Sequence, residues 1–255
     1  MQRMKCIIAY DGTDFSGYQV QPNARTVQGE LERVLQRIHK GEAIRVAASG
    51  RTDAGVHAKG QVIHFDSPLQ IPGENWVKAL NALLPDDIHV LHAEPVAKDF
   101  HARFNSKRKE YRYRILQTPE RDLFRRHYAY HVPVPLNVEA MREAAKHLIG
   151  KHDFTSFCAS GTSVLDKVRT IYQLDVEPEA DELVIRVIGN GFLYQMVRII
   201  TGTLIEVGKG KLKPSDVIDL LEAKDRTKVP ETAPPQGLYL WRVDYEEAHE
   251  ISIKP

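Results

Sequence analysis

Residues Lys5–Tyr10 read Lys-Cys-Ile-Ile-Ala-Tyr, and this apolar run predicts a buried β-strand near the start of the chain. The next predicted element is an amphipathic helix capped by Thr26, because a threonine hydroxyl accepts a backbone N–H at a helix start. The helix is expected to end at Gly41. Its apolar residues recur at helical spacing on one face: Val27, Leu31, Val34, Leu35 and Ile38.

Four more elements are predicted in the first half of the chain. Alternating and apolar segments indicate strands at Ile44–Ser49, Gln61–Asp66 and Ile88–Val96. A helix is expected over Glu74–Leu84, ending before Pro85, because proline disfavours helical backbone in the residue before it. The resulting β-α-β-β-α-β order is that of ferredoxin-like domains.

The second half of the chain predicts a blurred version of the same order. The predicted elements are strand Lys107–Leu116, helix Val138–Ile149 capped by Asn137, strands Asp153–Cys158, Lys167–Glu177 and Leu183–Ile188, helix Phe192–Val207, helix Pro214–Ala223 and strand Gly237–Asp244. We therefore predict an α+β fold of two ferredoxin-like halves with mainly antiparallel sheets flanked by helices and a cleft between them. The halves are expected to be residues 1–105 and 106–255.

The composition excludes several classes of protein. The 255 residues are 42% hydrophobic and 27% charged, which is typical of a globular chain and not of a disordered or fibrous one. Only two cysteines are present, Cys6 and Cys158, as expected in a reducing compartment. No run of 18 apolar residues occurs. The sequence thus predicts a soluble, cytoplasmic protein that does not enter a membrane.

Positive charge is concentrated in one segment, residues 101–127. The whole chain has a net charge of +1, but this segment holds nine Lys or Arg residues against three acids. A solvated charged surface is the ordinary explanation for such a run. The tyrosines within it favour a second interpretation, an anion-binding surface.

The common cofactor motifs are missing from the sequence. Gly189-Asn190-Gly191 is followed by Tyr194 where a dinucleotide-binding motif needs glycine, and residues 208–211 lack the remaining residues of a P-loop. His127 and His131 lie outside a His-Glu-x-x-His motif, and no Cys-x-x-Cys occurs. We therefore predict no metal ion and no cofactor.

The segment from Ser49 to Ala58 is a long loop between two predicted strands. Asp-Ala-Gly is a common turn sequence, so a purely structural role is one interpretation. The other is functional: the loop presents the carboxylate of Asp53 beside the cation of Arg51, and loops on rigid strands often carry catalytic groups.

Two other segments carry residues suited to a site. On the strand 107–116, Tyr111 lies on the same face as Lys107 and Lys109, an arrangement that stacks a base and holds its phosphates, although an ordinary edge strand gives the same pattern. In the apolar helix 192–207, Arg198 requires a nearby carboxylate, because burying an unpaired guanidinium is costly. That pair is either structural or functional.

Taken together, these segments resemble the tRNA pseudouridine synthases of the TruA type. The resemblance rests on Tyr10-Asp11-Gly12-Thr13-x-Phe15-x-Gly17-x-Gln19, Gly50-Arg51-Thr52-Asp53-Ala54-Gly55-Val56-His57-Ala58, Ala102-Arg103-Phe104, Tyr111-x-Tyr113, Asp153-Phe154-Thr155-Ser156-Phe157, Phe192-Leu193-Tyr194-x-Met196-Val197-Arg198 and Ala233-Pro234-Pro235-x-Gly237-Leu238-Tyr239-Leu240. These motifs are spread over almost the whole chain.

The resemblance implies a homodimeric isomerase that converts uridine to pseudouridine at positions 38, 39 and 40 of the tRNA anticodon stem-loop. It implies that Asp53 is the nucleophile, that Tyr111 contacts the target base and that Arg198 pairs with Asp53. Arg51 is expected as a wedge or phosphate contact, and Lys107 and Lys109 as further phosphate contacts. A non-enzymatic RNA-binding protein is the competing class, and a metal-dependent hydrolase is a third that would need ligand clusters the sequence lacks.

Overall fold

The computed structural model describes residues 1–162 and 164–245, and within these ranges it contains one ten-stranded sheet and five α-helices. Residues 246–255 of the predicted C-terminal half lie outside the described residues. The strands are β1 (Gln2–Tyr10), β2 (Ala47–Ala48), β3 (His57–Ser67), β4 (Ile88–Val96), β5 (Arg108–Leu116), β6 (Tyr130–His131), β7 (Gly150–Asp153), β8 (Val168–Glu179), β9 (Glu182–Gly189) and β10 (Leu238–Asp244). The helices are α1 (Val27–Ile38), α2 (Gly73–Asn81), α3 (Val138–Lys146), α4 (Met196–Gly208) and α5 (Asp216–Glu222).

The sheet is mostly antiparallel, which confirms the predicted α+β class at this level. Its strand order is β4-β1-β3-β10-β5-β9-β8-β7, with β2 beside β3 and β6 beside β5. The pairs β3–β10 and β5–β6 are parallel, and the other pairs are antiparallel. No described helix is both long and apolar enough to cross a membrane.

The parallel pairing of β3 with β10, here called the seam, joins the strands of the first part of the chain to those of the second. Tyr239 lies opposite His57, and Leu240 lies opposite Ala58. The backbones approach closely beside this register: a Cβ atom on Gly60 would lie 2.4 Å from the carbonyl oxygen of Trp241. Glycine is therefore the residue that allows the two strands to meet here.

Helix α1 forms as the sequence predicts. The Thr26 hydroxyl accepts a hydrogen bond from the backbone N–H of Gly29 at 3.2 Å, which satisfies one donor of the first helical turn. Its predicted apolar face is buried at Val27, Leu31, Val34 and Leu35, which belong to the same hydrophobic core as residues of the strands.

Two predicted strands are corrected by the structure. Of Ile44–Ser49 only Ala47–Ala48 pairs, with β3. The strand predicted over Asp153–Cys158 is wrong: β7 ends at Asp153, and a 3₁₀ turn follows at Thr155–Phe157. The Asp153 carboxylate accepts bonds from the Thr155 backbone N–H at 3.0 Å and from its hydroxyl at 2.6 Å, and such side-chain bonds turn the chain away from extended structure.

The helix predicted to begin at Phe192 begins at Met196 instead. Gln195 precedes it with φ of 57°, a left-handed conformation that helical backbone cannot continue through. As a result Arg198 lies in the first turn of α4 and not in the middle of a helix. Arg198 is thus the third residue from the N-terminal end of α4.

We predict that Gly60→Ala destabilises the protein by about 1–3 kcal/mol, because the added methyl group must push β10 away from β3. Urea unfolding should record a lower midpoint than for the wild-type protein. Gly191→Ala is the matched control, since the nearest atom to its added Cβ, Arg169 Nε, lies at an ordinary 3.8 Å. Equal midpoints for the two variants would show that the seam tolerates the methyl group.

Candidate active site

A cleft of about 1090 Å³ opens beside the seam. It brings together residues from segments that are far apart in the sequence, namely the loop before β3, the segment after β4, strands β5 and β8 and the approach to α4. The polar side chains of its lining include Arg51, Asp53, Arg103, Lys109, Tyr111 and Arg169.

Asp53 lies on the loop of residues 49–56, which backbone contacts hold in a fixed shape. Its carbonyl oxygen accepts from the Val56 N–H at 3.2 Å, and Gly55 completes the turn with φ of 77°. Gly17, also at positive φ, packs against the loop: a Cβ there would lie 3.0 Å from the Thr52 carbonyl oxygen. The turn interpretation of the sequence is thus correct, and the turn also presents Asp53 to the cleft.

Buried side chains tether the same loop to the sheet. The Tyr10 and Thr52 hydroxyls are 2.7 Å apart and share a hydrogen bond. Gln61 on β3 donates to the Gly50 carbonyl oxygen at 2.8 Å and accepts from the Ser49 hydroxyl at 2.7 Å. These bonds place the loop on the rigid strands β1 and β3, so Asp53 is preorganised.

Arg198 binds Asp53. Its Nη1 donates to Asp53 Oδ2 at 2.8 Å, and its Nε donates to the Ala233 carbonyl oxygen at 2.8 Å. The side chains are 12% exposed for Arg198 and 21% for Asp53, so the pair is shielded but reachable from the cleft. The expectation that Arg198 needs a carboxylate is therefore met, and that carboxylate is Asp53.

Tyr111 lies in the cleft with its side chain largely buried. Its ring packs edge-to-face against Phe192, with ring centroids 5.2 Å apart. Burial raises the pKa of Tyr111, and the nearby Tyr10 and Asp53 raise this pKa further. The phenol is therefore neutral at physiological pH.

Lys109 lies two residues before Tyr111 and faces the same cleft, as the alternation of β5 predicts. Its Nζ donates to the Ser49 carbonyl oxygen at 2.6 Å. Burial, together with the positive charges of Arg103 and Arg169, lowers the pKa of Lys109 to about 8. Arg51 is exposed at the rim of this cleft, whereas Lys107 is exposed but does not line it.

Much of the predicted positive surface of residues 101–127 is neutralised by the protein's own acids. Arg112 pairs with Glu110 at 2.8 Å, and Arg114 pairs with Glu182 at 2.6 Å. Arg125 is held by three carboxylates, those of Asp122, Asp181 and Glu182. The net excess in the sequence overstated the charge available to a ligand, because these acids are close in space.

His57 belongs to the seam and not to the cleft. Its Nδ1 accepts from the Gly12 N–H at 3.0 Å, its Nε2 donates to the His127 carbonyl oxygen at 2.8 Å, and its ring stacks on Tyr239. Burial lowers the pKa of His57, although nearby Asp11 opposes this shift. The histidine is thus neutral and structural.

Sequence reasoning did not identify Arg169 as a cleft residue. It lies on β8, remote from the other cations in sequence, and nothing in its local pattern marks it.

Among residues 1–162 and 164–245, no group of three or more His, Cys, Asp or Glu residues is placed to hold a metal ion.

Comparison with known proteins identifies the family. A family model described as tRNA pseudouridine synthase matches residues 6–105 and 144–246, which is most of the chain. This chain belongs to the tRNA pseudouridine synthase family. It is therefore an isomerase that makes pseudouridine in tRNA.

Relatives of this pseudouridine synthase are similar over nearly its full length. A protein of Geobacillus kaustophilus named tRNA pseudouridine synthase A is 60% identical over 96% of this chain and 95% of its own. One of the same name from Bacillus subtilis is 61% identical over 96% of this chain and 99% of its own. A solved structure, "Crystal Structure of a Cbf5-Nop10-Gar1 Complex", matches 80% of this chain and 54% of its own with 13% identity and a TM-score of 0.33, too distant to bear on the site.

We predict strong energetic coupling between Asp53 and Arg198 in this pseudouridine synthase. A double-mutant cycle with Asp53→Asn and Arg198→Met, measured by urea unfolding, should give a coupling free energy of about 1–3 kcal/mol, because the pair is shielded from water. The surface pair Glu32–Arg45 is the control: its ions are 3.0 Å apart, but Arg45 is 83% exposed, so its coupling should be much weaker. Similar coupling in both cycles would contradict this account.

Proposed function

We propose that this enzyme isomerises uridines 38, 39 and 40 of the tRNA anticodon stem-loop, with Asp53 as the nucleophile. The observation that carries the proposal is the Asp53 carboxylate, bound by Arg198 at 2.8 Å in a cleft that also contains Tyr111. The positions within tRNA come from the resemblance of the motifs.

The reaction needs one anionic group and no exchange of electrons. The bond from ribose C1′ to uracil N1 breaks, the base rotates, a bond from C1′ to C5 forms, and the C5 proton is lost while N1 gains one. Asp53 serves this sequence by attacking C1′, by attacking C6 of the base, or by assisting loss of the ribose C2′ proton to form a glycal. All three routes use the same carboxylate in the same place.

Arg198 is the positioning residue for Asp53 in this proposal. Its guanidinium holds Oδ2, which leaves Oδ1 for the substrate, and its second bond to the Ala233 carbonyl oxygen fixes the direction of the pair. Lysine offers a point charge without this planar geometry, so arginine suits the position.

Tyr111 is proposed to stack on the extruded uracil. Its ring is fixed by Phe192, and an aromatic surface compensates for the stacking that the base loses when it leaves the RNA. A role as general base for the C5 proton is less well supported, because the raised pKa keeps the phenol protonated.

Contacts to phosphates are assigned to cations of the cleft and its rim. Arg51, Arg103, Lys109 and Arg169 line it, and Arg51 is proposed as a wedge or a phosphate contact where the base leaves the stack. Lys107 is proposed as an outer phosphate contact, because it is exposed beside the same strand. Such contacts supply affinity and orientation without reading sequence.

We also propose that the chain is built from two ferredoxin-like halves, residues 1–105 and 106–255. The first half has the strand order β4-β1-β3-β2, and the second has β10-β5-β9-β8. In both, the fourth, first, third and second strands of a β-α-β-β-α-β unit lie side by side. The resemblance implies a homodimer and the composition predicts a cytoplasmic location, and gel filtration of the purified chain tests the dimer.

Asp53→Asn should abolish isomerisation, because asparagine keeps the size and a turn-forming oxygen but cannot act as an anionic nucleophile. Tritium release from tRNA labelled at uracil C5 measures the reaction, and filter binding on the same preparation should record nearly wild-type affinity. Asp86→Asn, at an exposed residue outside the cleft lining, is the control and should react at the wild-type rate. Substantial tritium release by Asp53→Asn would exclude Asp53 as nucleophile, and absence of release by the wild-type protein would favour an RNA-binding protein.

Lys109 should make tRNA affinity depend on pH. Its pKa of about 8 means that the ammonium is charged below pH 8 and loses its proton above it, so affinity should fall as pH rises through that value. Filter binding between pH 7 and 9, at constant salt, measures the change, and Lys109→Arg should flatten this part of the profile because arginine stays charged. An identical profile for Lys109→Arg would assign the pH dependence to another group.

A further inference from the structure

Phe104 is a large apolar side chain left in water at the edge of the cleft. It is 75% exposed and belongs to the cleft lining, while the role proposed for Tyr111 leaves it unused. Single exposed apolar side chains are common on protein surfaces, so what distinguishes Phe104 is that its exposed ring lines the cleft, where a ligand can cover it.

The exposure of Phe104 is imposed by a rigid turn, residues 101–105. Both backbone polar groups of Ala102 are bound by side chains: its N–H donates to His64 Nδ1 at 3.2 Å, and its carbonyl oxygen accepts from the Tyr245 hydroxyl at 2.7 Å. The Asn105 N–H donates to the His101 carbonyl oxygen at 3.0 Å and closes the turn.

One further contact holds the ring, and the neutral state of His64 preserves its bond to the turn. The phenyl ring of Phe104 packs on the imidazole of His101, with centroids 4.3 Å apart. Burial lowers the pKa of His64 to about 4, with His101 and Arg3 adding to the shift, so His64 stays neutral and can accept the Ala102 bond. The outer face of Phe104 is therefore a fixed aromatic surface.

The surroundings of this surface match one chemical class, a nucleobase with its phosphates. Arg103 is adjacent to Phe104 in the turn, and Arg169 lines the same cleft. Aromatic rings beside arginines bind single-stranded RNA by stacking on bases while the cations hold the backbone. The cleft volume also exceeds the roughly 300–1,000 Å³ typical of small-ligand sites, which leaves room beyond one nucleoside.

We propose that Phe104 is a stacking platform for a base of the tRNA strand next to the extruded uridine. This inference rests on the proposed function, which assigns the extruded uracil itself to Tyr111. Stacking on Phe104 compensates the neighbouring base for the partner it loses when the uridine leaves, and so fixes the strand at the cleft entrance.

The test compares variants at Phe104 in tritium release and filter binding with tRNA. Phe104→Ala should lower kcat/KM by about 5- to 150-fold, the range for loss of one base–aromatic stack. Phe104→Tyr and Phe104→Trp should keep most activity, whereas Phe104→Leu, apolar but not aromatic, should resemble Phe104→Ala. Phe124→Ala is the matched control, because Phe124 is 89% exposed but lies outside the cleft lining, and it should leave kcat/KM unchanged.

A second arm removes the base instead of the ring, so it does not depend on how any variant folds. Anticodon stem-loops with an abasic residue on either side of the target uridine should react more slowly with the wild-type enzyme. At the position that stacks on Phe104, Phe104→Ala should add no further loss. Wild-type activity from Phe104→Ala, equal activity of the Leu and Tyr variants, or additive losses at both abasic positions would overturn the inference. Tritium release by the wild-type enzyme from the intact stem-loop would show that the proposed reaction occurs. Those outcomes would then overturn only the role of Phe104 and not the proposed function.

Discussion

The parallel pairing of β3 with β10 is the contact on which the cleft depends. Through it Ala58 on β3, Leu240 on β10 and Tyr111 on β5 form one row across three neighbouring strands. Adjacent strands lie about 4.8 Å apart, so the row sets the backbone of Tyr111 roughly 10 Å from β3, the strand that follows the Asp53 loop. Arg198 completes the arrangement from α4, by bonding Asp53 on one side of the seam and Ala233, close to the start of β10, on the other. The seam is a short parallel contact. The close backbone approach at Gly60 therefore matters more for holding β3 and β10 together than the length of the seam suggests.

The two central side chains of the cleft are buried with different partners. Asp53 lies at a shielded position with a guanidinium bound to it, and without that partner the cost of desolvation would fall on the carboxylate alone. Tyr111 has no such cation bound to its hydroxyl among the described residues, and burial together with the Asp53 charge keeps it neutral. One carboxylate and one neutral aromatic surface in the same cleft suit a reaction in which a base leaves and returns without other reagents.

Local signals were predictable from the sequence, and contacts between distant segments were not. Helix α1 follows from Thr26 and the apolar spacing behind it, both of which act within a few residues. The strand wrongly predicted over Asp153–Cys158 and the start of α4 at Met196 also have local causes, an Asp–Thr side-chain bond and the left-handed Gln195. In the sequence, these causes give a weaker signal than the apolar residues around them, which favour a strand and a longer helix. Pairing of Arg198 with a carboxylate followed from the cost of burying its charge; that the carboxylate is Asp53 came from the family resemblance. The seam brings β10 beside β3, and the cleft brings Arg169 near the Asp53 loop. Both β10 and Arg169 are more than 100 residues from that loop in sequence, and no periodicity encodes such a contact.

The distribution of charge explains how a chain with a net charge of +1 can serve an RNA substrate. Acids beside β5 and at the β8–β9 turn bind Arg112, Arg114 and Arg125, so these cations orient the protein's own strands. Four other cations line the cleft, and they come from inside and outside the basic segment 101–127: Arg51, Arg103, Lys109 and Arg169. Cations gathered in one cleft attract phosphates there without raising the net charge of the whole chain. If Tyr111 and Phe104 stack on bases as proposed, discrimination between substrates rests on shape and stacking within that cleft, because phosphate contacts are the same for every RNA sequence.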